Sequence, residues 1–445
     1  MKTPICDFIE RYSESDVLRL HIPGHKGVSL TGAETFDITE ISGADSLYEA
    51  DGIIAQSENI ASKLFHAKTF YSTEGSSLAI RAMLLLAVKH ARERGQAPHI
   101  LAGRNAHKVF LSAAALLDFE VSWIFTESES YLRCTPSAEY VDELLSRSNK
   151  KPTAVYLTSP DYLGNIADVR GISEVCHKHG ALLLVDNAHG AYLKFLPKSA
   201  HPIDLGADAC ADSAHKTLPA LTGAAYLHVS HSAPESLAIG ARQALATFGS
   251  TSPSYLILRS LDATNAYIGV SYKQELRDFT EKVRQCKTAL ENMGFELLGD
   301  EPLKLTVCPL DYGYTGTELA EYLRSVKMEC EFADRDVTVM MLTPQSGTRA
   351  LNAIQAALGA LARRKPIIRN ILNSHLPEKV TDIRTAMLSP CQTVPVTEAV
   401  GRVLATPSVS CPPAVPLIVC GERIDEQTLK AFEYYGIREC SVIKE

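Results

Sequence analysis

Two short stretches carry residues whose chemistry fits together. Asp186-Asn187-Ala188-His189 follows the apolar run 182–185, and Ala211-Asp212-Ser213-Ala214-His215-Lys216 follows the next one, with Asp186 and Lys216 30 positions apart. A lysine amine condenses with an aldehyde to a Schiff base, and a buried carboxylate stays ionised only beside a positive partner. Both needs are met by pyridoxal 5'-phosphate, with Lys216 on its aldehyde and Asp186 on its pyridine nitrogen. That nitrogen, kept protonated, draws electrons from the α-carbon of a substrate and stabilises a carbanion. Taken singly, each residue is bland: most lysines behind a strand are surface lysines, and an aspartate there is often a turn or helix cap. The order Asp186, Ser213, His215, Lys216 is what points to an enzyme.

Further residues fit the same ligand. Glu74-Gly75-Ser76-Ser77 precedes a long apolar-periodic helix, and a glycine followed by hydroxyls at a helix start presents N–H groups and the positive dipole end to a phosphate. Serine at a helix start is also common for structural reasons alone. Ser213 and His215 would complete the phosphate cup from the lysine side. In Arg104-Asn105-Ala106-His107-Lys108, the flat imidazole of His107 is suited to stack on the pyridine face, although a lone histidine is more often structural. His21-Ile22-Pro23-Gly24-His25-Lys26-Gly27 is a cationic turn, and His25 and Lys26 would suit an anionic cofactor or a substrate carboxylate; composition alone favours an exposed loop. These histidines and the scattered cysteines have no metal-ligand spacing, so no metal is expected.

The elements that must position these groups alternate. Strands are expected at 99–102, 154–157, 181–185, 209–211 and 224–229, with helices at 76–94 and 172–179, the latter stopped by Gly180. Strand–helix alternation predicts a mainly parallel sheet covered on both faces, with ligands at the carboxyl ends of its strands. A long helical stretch, 255 to about 292 with one break, leads to strands at 296–298, 304–308 and 337–342 and helices at 317–326 and 349–363. The proline-richer remainder reads as a separate piece. The expected domains are 1–275 (large, with an N-terminal arm), 276–365 (small α/β) and 366–445 (C-terminal).

Composition sets the outer bounds. The 445 residues are 46% hydrophobic and 22% charged, ordinary for a globular chain, and the net charge of −8 gives nucleic-acid binding no support. Eleven cysteines without pairing motifs suit a reducing, cytoplasmic compartment. The charged first 16 residues do not read as a signal peptide, and no apolar stretch is long enough to span a bilayer, so no membrane partner is expected.

The motifs at 21–27, Asp37-Ile38-Thr39-Glu40, Asp45-Ser46-Leu47-Tyr48, Asp186-Asn187-Ala188-His189-Gly190, Ser213-Ala214-His215-Lys216-Thr217-Leu218 and Thr251-Ser252-Pro253-Ser254-Tyr255 resemble the bacterial ornithine/lysine/arginine decarboxylases, as do Pro412-Pro413, Pro416 and Gly421-Glu422. The resemblance implies an aspartate-aminotransferase-like (fold type I) α/β architecture with a seven-stranded sheet. It also implies a homodimer with active sites at the interface and decarboxylation of arginine, lysine or ornithine. By the same resemblance Lys216 is the Schiff-base lysine, Asp186 the pyridine partner and His107 the stacking ring, Ala188 and His189 lie at the ring, and Ser76, Ser77, Ser213 and His215 hold phosphate. The large members' N-terminal wing domain is expected to be missing, which favours a dimer over a ring. Large members often have tryptophan where this chain has His189, and the family's Tyr-Pro-Pro-Gly-Ile-Pro appears as Cys411-Pro412-Pro413-Ala414-Val415-Pro416.

A cationic side chain needs an acidic reader, and Glu331 or Asp334 in Glu329-Cys330-Glu331-Phe332-Ala333-Asp334 is the candidate, against an ordinary solvated turn. Two other readings share the fold. One is an aminotransferase or other lyase, for which Arg349 is a candidate carboxylate binder; the other is a catalytically silent regulator.

Overall fold

The computed structural model describes residues 1–125, 135–368, 374–411 and 415–444. Pro412, Pro413 and Ala414 of the C-terminal proline motif lie outside the described residues. The chain forms two compact units: Met1–Ala97, Thr153–Val155 and Val169–Arg277 in the first, and Pro98–Pro152, Tyr156–Asp168 and Asp278–Glu445 in the second.

The largest sheet has the strands β1 (Lys68–Ser72), β2 (His99–Gly103), β3 (Glu120–Ile124), β4 (Ala154–Thr158), β5 (Leu182–Asp186), β6 (Ala209–Asp212) and β7 (Ala225–Val229). Their order is β1-β7-β6-β5-β4-β2-β3, and the sheet is mostly parallel, as the alternation of strand and helix requires. β7 is the exception, antiparallel to both β1 and β6. Every residue of β5, β6 and β7 is buried, because a strand covered on both faces has no polar side to give to water.

In the first unit the helix Gly75–Glu93 packs its residues Leu78, Ala82, Leu86 and other apolar positions inward. The helix Val169–Lys178 ends where Gly180, at φ +71°, donates its N–H to His177 O at 3.0 Å. That left-handed conformation is open to glycine at little cost. The long stretch after Ser254 is the helix Tyr255–Tyr267, a π turn at Ile268–Tyr272 and the helix Lys273–Asn292, so the expected break is a wider turn within a continuing helix.

The second unit holds a four-stranded antiparallel sheet: β8 (Glu296–Leu298), β9 (Lys304–Cys308), β10 (Phe332–Ala333) and β11 (Thr338–Met341), in the order β10-β11-β9-β8. The helices Gly316–Ser325 and Gly347–Gly359 accompany it, the first started by a Thr315–Glu318 capping box. One apolar core takes in Cys308 and Val339 from this sheet and Val337 just before β11, together with Leu417, Phe432 and Val442 from the C-terminal segment. Among the described residues no helix is long and apolar enough to cross a membrane.

Candidate active site

β5 and β6 pair in parallel with Asp186 opposite Ala211, so the turns after them, 186–189 and 213–216, begin side by side. Asp186 is the last residue of β5 and is 3% exposed; its Oδ1 accepts the N–H of Ala188 at 3.2 Å. Lys216 stands in the short helical turn Ala214–Thr217, and its Nζ lies 3.2 Å from Nε2 of the buried His189. The two loops that the sequence singles out are therefore joined at the lysine amine itself.

The serines converge as well. Ser213, almost wholly buried, donates its hydroxyl to Ser76 Oγ at 2.8 Å. Ser76 and the half-buried Ser77 follow Gly75, which opens the helix Gly75–Glu93 at φ +70°. The Gly75 N–H is bound to Gly223 O at 2.7 Å, which fixes the helix start to the chain beyond Lys216. A Cβ at position 75 would have His215 Cε1 as its nearest neighbour at 4.0 Å, so it is the left-handed φ, and not crowding, that favours glycine. His215 donates from Nδ1 to Ala224 O at 2.9 Å, which leaves Nε2 as the nitrogen directed elsewhere.

The remaining candidates are distributed differently. His25 takes the N–H of Gly27 on Nδ1 at 2.9 Å and donates from Nε2 to Asp37 at 3.2 Å, while Lys26 donates to His21 O. His107, Glu331 and Asp334 belong to the second unit. There His107 is the N-cap of the helix Lys108–Leu117, its Nδ1 accepting from Val109 N–H at 3.3 Å. His107 and Asp334 line one cavity of about 760 Å³, together with Thr317, Arg335 and Tyr434. Glu331 lines a different one of about 690 Å³, and its carboxylate accepts from Tyr162 OH at 3.0 Å. Burial pushes the Asp334 carboxyl up to about 6, although the N–H groups of Val337 and Asp336 bond to it; its Oδ2 is buried with no hydrogen-bond partner among the described residues. Arg349 is exposed in the first turn of the helix Gly347–Gly359.

Three features escaped sequence reasoning. Asp212 and Asn187 hydrogen-bond to each other; both stand in the two stretches that the sequence singles out, yet nothing there pairs them. Asp336 accepts from Tyr434 OH at 2.6 Å and from Tyr435 OH at 2.9 Å beside the larger cavity. Arg104 and Glu422 form a buried two-bond ion pair at 2.8 and 2.7 Å, with the Arg104 guanidinium 5.0 Å over Trp123. Only adjacent pairs and regular periods are visible in a sequence; these partners are 25 to 318 positions apart.

Pyridoxal phosphate fits the residues present. An amine, a buried carboxylate and a cluster of hydroxyls at the start of a long helix match its aldehyde, its ring nitrogen and its phosphate in turn.

Residues 3–308 match the family described as Orn/Lys/Arg decarboxylase, major domain, and residues 374–441 match Orn/Lys/Arg decarboxylase, C-terminal domain. The uncharacterized protein YaaO of Bacillus subtilis is 29% identical over 97% of this chain and 93% of its own length. The arginine decarboxylase of Halalkalibacterium halodurans is 27% identical over 96% of this chain and 92% of its own. Among solved structures, lysine decarboxylase A of Pseudomonas aeruginosa superposes with a TM-score of 0.82 at 18% identity, over 99% of this chain and 80% of that one. An alanine–glyoxylate aminotransferase from Nostoc shares the fold more distantly, with a TM-score of 0.54 at 18% identity over 68% of this chain and 85% of that one.

Proposed function

Since this chain belongs to the Orn/Lys/Arg decarboxylase family, we propose that it removes the α-carboxyl group of arginine, lysine or ornithine, releasing carbon dioxide and agmatine or a diamine. The observation that carries this reading is the meeting of Lys216 Nζ with His189 Nε2 at 3.2 Å, on the turn that Asp186 opens. When bound, pyridoxal 5'-phosphate supplies a sink for the electron pair left on the α-carbon.

The protein's own groups have separable tasks. Lys216 would hold the aldehyde, and His189, 3.2 Å from its Nζ, could take a proton from that amine or return one. Asp186, desolvated at the end of β5, would hold the ring N–H and so keep its own charge, and Ala188 would be the small residue beside the ring. Ser76, Ser77, Ser213 and the helix start at Gly75 would bind phosphate. His215, its orientation fixed by the Ala224 carbonyl, would support the phosphate from the lysine side, and it and Lys216 would be the groups able to return a proton to the substrate. By the family resemblance His107 would be the stacking residue, and Asp334 would be the reader of the substrate's cationic end. Asp334 is preferred to Glu331 because it shares a cavity with His107. His25 and Lys26 are assigned no substrate contact, as both are engaged within their own turn and with Asp37.

The reading includes a homodimer, supported by Val17, Leu18, Leu20, Ile22, Val28 and Leu30, all more than half exposed in one short segment. It also includes a cytoplasmic location, in keeping with nine described cysteines that stand as thiols outside any disulfide.

The test is direct. Purified protein loaded with pyridoxal phosphate is offered arginine, lysine and ornithine in turn, and carbon dioxide is measured. One of the three is expected to be turned over. Lys216→Ala is expected to lose the visible absorbance of the bound cofactor and at least about a thousandfold in rate. A stable pyridoxamine form with a keto acid product, or an active Lys216→Ala enzyme, would sink the assignment.

A further inference from the structure

Beneath the two site turns lies a polar cluster that none of the roles above uses. In the sheet, Thr69 of β1 is opposite His228 of β7, which is opposite Cys210 of β6. Asp212, two residues beyond Cys210, shares its face of the strand. His201 reaches the cluster from the head of the short turn Pro202–Leu205. His201, His228 and Asp212 are all 0% exposed.

The contacts are specific. Asp212 Oδ2 is hydrogen-bonded to His201 Nε2 at 2.9 Å and lies 3.3 Å from His228 Nε2, which is near enough for attraction but not aligned for a hydrogen bond. Its Oδ1 accepts from Asn187 Nδ2 at 2.7 Å, and His228 Nδ1 meets Thr69 Oγ1 at 2.9 Å. Burial alone would raise the Asp212 carboxyl; the two histidines outweigh it and hold the group well below the usual carboxylate range. Burial pushes His228 down, towards the neutral ring. An ionised carboxylate is therefore retained in the core, a costly arrangement unless its donors are well placed.

Its location gives that arrangement a use. Asn187 directly follows Asp186, and Asp212 directly precedes Ser213. The Asn187 backbone also donates to Ala211 O at 3.0 Å, and its carbonyl accepts from Gly190 N–H at 2.8 Å. We propose that Asp212 is a positioning residue: held by its hydrogen bond with His201, with His228 beside it, it fixes Asn187, and with it the turn 186–189, in register with the turn 213–216. The carboxylate that meets the ring nitrogen and the lysine that meets the aldehyde are thereby kept at a set spacing. This proposal rests on the pyridoxal phosphate reading of the site.

The experiment is a double-mutant cycle read on cofactor binding. Dissociation constants for pyridoxal phosphate and the visible circular dichroism of the bound cofactor are measured for wild type, Asn187→Ala, Asp212→Ala and the double variant. Asn187→Ala leaves the histidine–aspartate contacts in place. It is expected to bind about tenfold more weakly with altered visible dichroism, while its apo-protein melts near the wild-type temperature. The double variant is expected to bind no worse than Asp212→Ala, because both changes remove one link. Wild-type affinity and dichroism in Asn187→Ala, or simple additivity in the cycle, would overturn the proposal even though the wild type binds cofactor. A wild type that takes up no cofactor would instead sink the functional reading and this one with it. Cys210 Sγ lies 3.9 Å from His201 Nε2 and 3.8 Å from Asp212 Oδ1. One equivalent of zinc in the purified wild type would therefore overturn the proposal by making these side chains ligands.

Discussion

Asp334 shows how one residue's surroundings make a measurable statement about substrate. Its carboxyl is shifted from 3.8 up to about 6, chiefly by burial, so the folded protein binds this proton more tightly than the unfolded chain. The sign follows: the stabilising contribution of the protonated group is complete below about pH 4 and is lost as pH climbs through about 6. Ionisation thus costs stability and creates a negative charge at the wall of the cavity shared with His107. If that charge reads the cationic end of the substrate, KM should fall about tenfold between pH 5 and pH 7, with kcat less affected. Asp334→Asn should hold KM high and flat over the same range. An unchanged pH profile in Asp334→Asn would remove Asp334 from substrate recognition, and the exposed Glu331 would be next to test.

At the scale of elements, the buried strands were legible and the edge strands were not. β4, β5 and β7 are runs of apolar residues because both faces are covered, and that pattern survives in the sequence. β1, Lys-Thr-Phe-Tyr-Ser, and β3, Glu-Val-Ser-Trp-Ile, close the two ends of the sheet, where polar side chains are tolerated and the pattern is diluted. The site divides in the same way. Lys216, Asp186 and the serines announce themselves by standing just after strands or before a helix. The Asn187–Asp212 bond depends on how two strands pair, and the Arg104–Glu422 pair depends on tertiary packing. That second pair is a strong test of packing within the second unit. Both groups are nearly inaccessible, and Glu422 Oε2 also accepts the N–H of Val419 at 2.9 Å. Glu422→Ala leaves a buried guanidinium without its carboxylate and should cost about 3–5 kcal/mol in denaturant unfolding. Replacing both partners by apolar residues, Arg104→Met with Glu422→Leu, should recover most of that loss. A loss below about 1 kcal/mol for the single change would mean that water reaches the site and the pair is not truly desolvated.

At the scale of the whole molecule, the N-terminal arm is the part whose composition conflicts with its exposure. The preceding helix Pro4–Ser13 is fastened to its unit, since Ile5 and Cys6 donate their N–H groups to Asp262 at 2.9 and 3.0 Å and Ile9 is fully buried. Beyond it Leu18, Leu20 and Leu30 are 78%, 83% and 84% exposed. The motif at 21–27 lies between them, and Lys26 holds a left-handed φ of 56° there. Scattered exposed leucines need no explanation, but several large ones within 14 residues of an anchored segment do. A second copy of the chain is the occupant proposed above. The expected result is a dimer by light scattering at micromolar concentration. Leu18→Ser, Leu20→Ser and Leu30→Ser together should weaken association at least about a hundredfold, since removing each buried leucine side chain forgoes about 1.5–3 kcal/mol. The melting temperature of the isolated chain should barely move, because these side chains bury nothing within it. A wild type that stays monomeric at those concentrations, or a triple variant that dimerises as tightly, would show that the arm serves some other contact.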